Sequence, residues 1–155
     1  MSAPLPSIAE LKGCLARGER LLGLDVGSKT IGLALSDTTL TVASPLETIR
    51  RGKFASDVER IRRIVAEQGI GGLVVGLPIN MDGSEGPRCQ SVRQFAKNLL
   101  ERLALPLAFW DERLSTAAVT RTLIEADMSR KRRAETIDKL AAAYILQGAL
   151  DAARG

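Results

Sequence analysis

The chain has 155 residues and a formal charge of +4, from 22 Lys and Arg against 18 Asp and Glu. This length predicts a single domain with one core, and no apolar run approaches the ~18 residues that a membrane-spanning helix needs. Since the sequence contains no histidine, Ser-His-Asp catalysis, Cys-His catalysis and histidine-based zinc sites are excluded. Any hydrolysis must therefore depend on carboxylates, lysine or a bound metal ion.

The first predicted element is a short helix near the N-terminus. Ser7-Ile8-Ala9-Glu10 has the form of a capping box, and the helical spacing of apolar residues continues up to Gly18. The elements that follow are strands at about 20–26, 30–36 and 42–49, a helix from 54 to Gly69, a strand at 71–78, a helix at 87–103, a strand at 105–112, and helices at about 115–126 and 135–152.

This order of elements predicts a mixed α/β sheet. The first three strands form an antiparallel meander, and the later strands, each reached through a helix, run parallel. We expect residues 1–19 to form a helical extension and residues 20–155 to form the main domain. The N-terminus has no basic segment followed by an apolar one, and the two cysteines lack metal-ligand spacing, so the cytoplasm is the expected compartment.

Asp25 is the first candidate for a catalytic residue. It ends the apolar strand that opens the stretch LLGLDVGSKTIGLALSD (21–37), directly before the turn Gly27-Ser28-Lys29. An unpaired carboxylate near a core is costly to bury, so Asp25 requires a cation, a ring of donors or a metal ion. The alternative is an aspartate whose charge the backbone N–H groups of the turn satisfy.

Three further acids lie where a site is expected. Asp111 and Glu112 end the strand at 105–112, and open α/β sheets bind ligands at the carboxyl ends of parallel strands. Asp138 lies in the first turn of the last predicted helix. The alternative for Asp111 or Glu112 is an ion pair with Arg113. The alternative for Asp138 is stabilisation by the helix dipole. Convergence of the acids at one sheet edge predicts a site for Mg²⁺ or Mn²⁺, which prefer carboxylate oxygens.

Basic residues predict a nucleic-acid partner that is bound through its phosphates, because aromatic residues for base stacking make up only 3% of the chain. The larger basic group is predicted to be a surface segment between two helices and consists of Arg130, Lys131, Arg132 and Arg133. A second basic group, Arg50, Arg51 and Lys53, lies in a turn. For both groups the alternative is a solvated loop without a partner.

The loop at 78–88 is a candidate substrate-binding segment. Its glycines permit close backbone approach, and it leads into a helix N-terminus, which favours anions. Asn80 and Arg88 are its candidate ligands for a phosphate group, with an ordinary connecting loop as the alternative. Lys29 is a candidate for binding the scissile phosphate, with a lysine that only forms part of the hairpin as the alternative. Arg113 is also a candidate for binding this phosphate, and its alternative is to hold a neighbouring acid in place.

Four motifs together resemble one known family. LGLDVGSKTIGLALSD, VVGLPINMDGSEGPR, WDERLST and IDKLAAAYIL are similar, in order and nearly without gaps, to the YqgF family of pre-16S rRNA nucleases, also described as Holliday junction resolvase-like. The resemblance covers roughly residues 20–151. It implies a ribonuclease H-like fold, a divalent metal ion and an acidic site made of Asp25, an acid from WDERLST and Asp138. Asp111 and Glu112 both remain candidates because neighbours on a strand point to opposite faces.

The expected activity is metal-dependent hydrolysis of phosphodiester bonds, with the 5′ end of pre-16S rRNA as the substrate that the resemblance implies. A Holliday junction resolvase acting on DNA and a non-catalytic nucleic-acid-binding module are the alternatives. A nucleotide-binding P-loop is disfavoured because Ser28 separates the glycine from Lys29 and a strand follows. No heptad seam is evident, so we expect a monomer.

Overall fold

The computed structural model describes residues 5–114 and 130–154, with the backbone alone described at 130–137. Its elements are α1 (Ile8–Cys14), β1 (Arg20–Val26), β2 (Thr30–Ser36), β3 (Ala43–Arg50), α2 (Phe54–Gln68), β4 (Ile70–Leu77), α3 (Pro87–Leu100), β5 (Leu107–Asp111), a 3₁₀ turn (Glu112–Leu114) and α4 (Arg130–Arg154). The predicted helix at 115–126 lies outside the described residues.

The strands form one five-stranded sheet in the order β3-β2-β1-β4-β5. β1 pairs antiparallel with β2, and β2 pairs antiparallel with β3, whereas β4 runs parallel to both β1 and β5. The predicted mixed sheet is therefore confirmed. The carboxyl ends of β1, β4 and β5 lie at the same end of the sheet. The acidic residues Asp25 and Asp111 lie at this end, near or at the last residues of β1 and β5.

Alternation along the strands divides the core into two layers. Leu22, Leu24 and Val26 of β1 pack into the cluster that includes α2 and α3, whereas Leu21 packs into the cluster that includes α1 and α4. Helix α1 begins with the predicted capping box, and its Leu11 is fully buried in the second cluster. The helical extension thus shares its core with α4, while the proposed division of the chain at residue 20 stays a prediction.

Glycines let α4 lie directly on the sheet. An ideal Cβ built on Gly32 of β2 would stand 2.0 Å from the carbonyl oxygen of Asp138, a distance that no real Cβ tolerates. One built on Gly23 of β1 would stand 2.8 Å from the Cβ of Leu146. The absence of side chains at these two positions therefore fixes how close α4 approaches β1 and β2.

The start of α4 corrects one prediction. The sequence predicts that the basic segment lies between helices and that the last helix starts near residue 135, but α4 begins at Arg130. Arg, Lys, Ala and Glu all have high helix propensity, and no Gly or Pro interrupts the sequence from Arg130 to Glu135, so the helix extends through the charges. Asp138 is consequently well inside α4 and not in its first turn, where the dipole acts.

Other boundaries differ from the predicted ones by a few residues. Helix α1 ends at Cys14 instead of continuing to Gly18, and α3 ends at Leu100 instead of 103. Among the helices that the structure describes, none has the length and apolar character needed to cross a lipid bilayer.

Candidate active site

Asp25 lies at the carboxyl end of β1 with its side chain on the α4 side of the sheet. This placement follows from alternation, because its neighbours Leu24 and Val26 belong to the cluster on the opposite face. Only 3% of Asp25 is exposed. The guanidinium of Arg88, at the start of α3, stands 4.0 Å from its Oδ1. A nearly buried carboxylate thus faces a cation that comes from the predicted substrate-binding loop.

Asp138 is brought to the same place by α4. The backbone of Asp138 lies on Gly32, and Gly32 is the cross-strand partner of Asp25. The hydroxyl of Thr30, at the start of β2, donates a hydrogen bond to Oδ2 of Asp138. Two of the predicted acids therefore share one face of two paired strands.

Glu112 reaches the same face from the 3₁₀ turn after β5. Its Cγ stands 3.1 Å from an ideal Cβ built on Gly76, and the same Cβ would stand 2.6 Å from Cδ1 of Ile145 in α4. Gly76 lies in β4, between β5 and the strand that carries Asp25. The side chain of Glu112 is therefore on the α4 side of the sheet.

Asp111 is engaged differently from its neighbour. Its Oδ2 accepts from Nη2 of Arg113 at 2.7 Å and from Nε at 3.0 Å, and its Oδ1 accepts from the backbone N–H of Arg113 at 2.9 Å. The side-chain hydrogen bond from Arg113 lowers the pKa of Asp111. Nη1 of Arg113 also stands 3.7 Å from an ideal Cβ on Gly83, so the side chain lies beside the loop before α3.

The donor chemistry of this face fits a hard divalent cation. Asp25, Glu112 and Asp138 supply carboxylate oxygens, the ligands that Mg²⁺ and Mn²⁺ prefer. Within residues 5–114 and 130–154, no three acidic or thiol groups stand close enough to hold a metal ion as they are placed. Carboxylates without a cation between them repel one another, and Asp138 is turned towards Thr30.

A cleft of about 950 Å³ has Asp138 in its wall, together with Arg88, which approaches Asp25. Among the described residues, its charged lining comprises four basic side chains and one acid, and the hydroxyls of Ser28, Thr30 and Ser91 add to its polar surface. Positive charge therefore exceeds negative charge in the walls of the cleft, as binding of a phosphodiester chain requires. The charged residues that line it are Lys29, Arg50, Arg51, Arg88 and Asp138.

The predicted substrate-binding residues separate into three groups. Lys29 and Arg88 line the cleft. Asn80 and Arg113 do not, and Asn80 instead holds its own loop, donating from Nδ2 to Oγ of Ser84 at 3.1 Å. The side chains of Arg130, Lys131, Arg132 and Arg133 lie outside the described residues, so their role stays a prediction.

Comparison with known proteins decides the family. A family model described as "RuvX: Holliday junction resolvase" matches residues 19–152. The chain belongs to this family. A relative from Paramagnetospirillum magneticum, named "Putative pre-16S rRNA nuclease", is 66% identical over 148 residues, which are 96% of each chain. A relative of the same name from Roseobacter denitrificans is 60% identical over 152 residues, which are 97% of this chain and 93% of the relative.

Solved structures with the same fold include two resolvases. Thermus thermophilus RuvC in complex with a Holliday junction substrate superposes with a TM-score of 0.54, at 14% identity, over 88% of this chain and 96% of RuvC. The yeast mitochondrial Holliday junction resolvase Ydc2 gives 0.53, at 10% identity, over 95% of this chain and 83% of Ydc2. The predicted ribonuclease H-like fold is thereby confirmed, and the family places the protein among the nucleases, enzymes that hydrolyse phosphodiester bonds.

Thr30 is the residue of this site that the sequence reasoning missed. A signal for it exists in the alternation of β2, since Thr30 lies two residues before Gly32 and must share its face. A threonine at the end of a hairpin turn is, however, readily explained by the turn itself. Its contact with Asp138 could not be predicted because it joins residues 108 positions apart.

Thr30→Val should reduce cleavage about tenfold, because a group that orients a metal ligand typically contributes 10- to 100-fold to activity or metal affinity. Thr30→Ser keeps the hydroxyl and should retain most activity. Single-turnover cleavage rates and the affinity for Mn²⁺ measured by calorimetry both check this. Equal rates and affinities for the valine variant and the parent protein would show that the hydroxyl does not orient Asp138.

Proposed function

We propose that this nuclease depends on a divalent metal ion and processes the 5′ end of pre-16S rRNA during ribosome biogenesis in the cytoplasm. The observation that carries the proposal is the placement of the Asp25, Glu112 and Asp138 side chains on one face of the sheet, the α4 side, with Asp138 in the wall of a basic cleft. The substrate is supported by the names of the two relatives, which are 60% and 66% identical to this chain.

Asp25, Glu112 and Asp138 would hold Mg²⁺ or Mn²⁺. A bound ion of this kind supplies an activated water and stabilises the leaving oxygen of the phosphodiester. In this assignment Asp111 has a structural role, because its carboxylate is already committed to Arg113. The protein provides the orientation of Asp138 through the hydroxyl of Thr30.

Lys29 and Arg88 would bind the substrate backbone. Both line the cleft, and Arg88 is 54% exposed although it approaches Asp25. A cation in this position can bind a phosphate beside the acidic site. The basic start of α4, Arg130 to Arg133, would add phosphate contacts farther along the nucleic acid, and its replacement by serine should weaken binding and flatten the dependence on salt.

Resolution of Holliday junctions in DNA is the second candidate function. The description of the matching family model and the fold shared with RuvC favour it. Symmetric cleavage of a four-way junction requires two active sites related by a two-fold axis, whereas trimming of an RNA end requires only one. We propose a monomer, so the RNA substrate is preferred.

The test compares the two substrates directly. The protein is incubated with a pre-16S rRNA fragment that carries its 5′ extension and, separately, with a four-way DNA junction, each in Mg²⁺, Mn²⁺ or EDTA. We expect metal-dependent removal of the 5′ extension, loss of this activity in Asp25→Asn, and little cutting of the junction. Symmetric nicking of the junction by a stable dimer, with the RNA left intact, would reverse the assignment.

A further inference from the structure

Two consecutive arginines at the end of β3 line the cleft but have different surroundings. Arg50 is the cross-strand partner of Thr30, and antiparallel partners project to the same face. Its neighbour Ile49 is buried in the cluster on the opposite face, which agrees with this direction. Arg50 therefore projects on the α4 side of the sheet, the side that carries Thr30, Asp138 and the acidic site.

Arg51 is held on the other side of the cleft. Its Nη1 donates to the carbonyl oxygen of Gly27 at 2.7 Å, and its guanidinium carbon lies 5.0 Å from the ring centre of Phe95 in α3. Its backbone N–H donates to the carbonyl oxygen of Lys29 at 2.9 Å. Arg51 thus connects the β1–β2 turn to α3, and these contacts fix the turn that carries Lys29.

The turn after Arg51 is also fixed. The carboxylate of Asp57 in α2, which is 4% exposed, accepts from the backbone N–H of Gly52 at 3.2 Å. Because both ends of the segment are fixed, Arg50 projects from a rigid support into the cleft, and its exposed side chain can bind a ligand with little loss of backbone entropy.

The position of Arg50 determines which phosphate it can bind. Neighbouring strands are about 4.8 Å apart, so β3 lies about 10 Å from β1, the strand that carries Asp25. The backbone of Arg50 is therefore two strands away from Asp25, so its guanidinium can hold a phosphate other than the one at the acidic site. Among the described residues that line the cleft, four charged side chains are basic and only Asp138 is acidic, so together they carry a net positive charge.

We propose that Arg50 binds a second phosphate of the substrate strand, beside the scissile phosphate, and that Arg51 is a positioning residue that holds the wall of the cleft. The inference rests on the proposed function in one respect, that the strand in the cleft is the substrate. The ligand chemistry is a phosphodiester backbone without base recognition, since guanidinium groups bind phosphate oxygens regardless of sequence.

The test measures binding separately from cleavage. Full-length Asp25→Asn protein is titrated in EDTA against a fluorescein-labelled RNA hairpin with a single-stranded 5′ extension, at a series of salt concentrations. Arg50→Gln, Arg50→Lys and Arg51→Gln are added singly to this background. Arg63→Gln is the matched control, because Arg63 is an exposed arginine of α2 in a different surface depression.

Arg50→Gln should reduce the slope of log affinity against log salt by about 0.7 to 1 unit, the value of one phosphate contact. Arg50→Lys should restore most of the slope, and Arg63→Gln should leave it unchanged. Arg51→Gln should lower the Tm, because it loses the contacts to Gly27 and Phe95.

An unchanged slope in Arg50→Gln, or an equal reduction in Arg63→Gln, would overturn the inference, and so would the absence of salt-dependent binding in the Asp25→Asn background. The salt dependence is measured separately from cleavage, so the two failures can be distinguished. If wild-type protein fails to cleave the RNA while Arg50→Gln still reduces the slope, the phosphate site stands and the assigned activity fails.

Discussion

Glu112→Gln should lower the cleavage rate by more than about 100-fold and leave the Tm unchanged or slightly raised, whereas Asp111→Asn should retain most cleavage and lower the Tm slightly. The side chain of Glu112 lies over Gly76 on the α4 side, with Asp25 and Asp138. Removing one charge from a group of acids relieves repulsion, so the loss of activity needs no loss of stability.

Asp111 differs because its charge already has a partner. The Asp111→Asn substitution would keep the shape of the side chain but remove the ionic component of its hydrogen bonds with Arg113, and Arg113 would lose the partner that raises its pKa. The pair is partly exposed to solvent, with 31% of the Arg113 side chain and 20% of the Asp111 side chain accessible, so the effect on stability should be small.

Single-turnover cleavage, thermal unfolding and calorimetric titration with Mn²⁺ distinguish the two substitutions. Glu112→Gln should weaken Mn²⁺ binding, and Asp111→Asn should not. The opposite pattern would be an inactive Asp111→Asn protein and an active Glu112→Gln protein. It would assign the role of metal ligand to Asp111 and show that the ion pair between Asp111 and Arg113 does not exclude that role.

Most of the sheet could be predicted because its signals are local. Apolar runs bounded by Gly27 and by Pro78 identify strands, and the Ser7 capping box identifies the start of α1. The start of α4 could not be predicted in the same way. A run of four basic residues is equally compatible with a solvated loop and with the first turns of a helix, and charge patterning does not distinguish the two.

The site could be predicted only in part because its contacts are long-range. The sequence predicts Asp25, Asp138 and the acidic pair at the end of β5 as site residues, but which member of the pair faces the α4 side depends on the turn that follows the strand. The contact of Arg51 with Phe95 depends on how α3 packs against the β1–β2 turn. No local pattern in the sequence contains that information.

Gly32→Ala should destabilise the protein by about 3 kcal/mol or more and abolish cleavage. An alanine Cβ at this position would stand 2.0 Å from the carbonyl oxygen of Asp138 and 2.3 Å from its carbonyl carbon. Both atoms belong to the backbone of α4, so rotation of a side chain cannot relieve the clash. The helix must move away from β2, which opens the core beneath it and displaces Asp138 from the acidic site.

Gly13→Ala is the matched control for this prediction. Gly13 lies within α1, and an ideal Cβ built on it would meet no atom within 4 Å, so alanine should be neutral or stabilise the helix by up to about 1 kcal/mol. Urea unfolding of both variants gives the two free energies, and cleavage assays report the position of Asp138. A Gly32→Ala protein with the stability and activity of the parent would show that α4 does not lie directly on β2, and the acidic site would then need a different geometry.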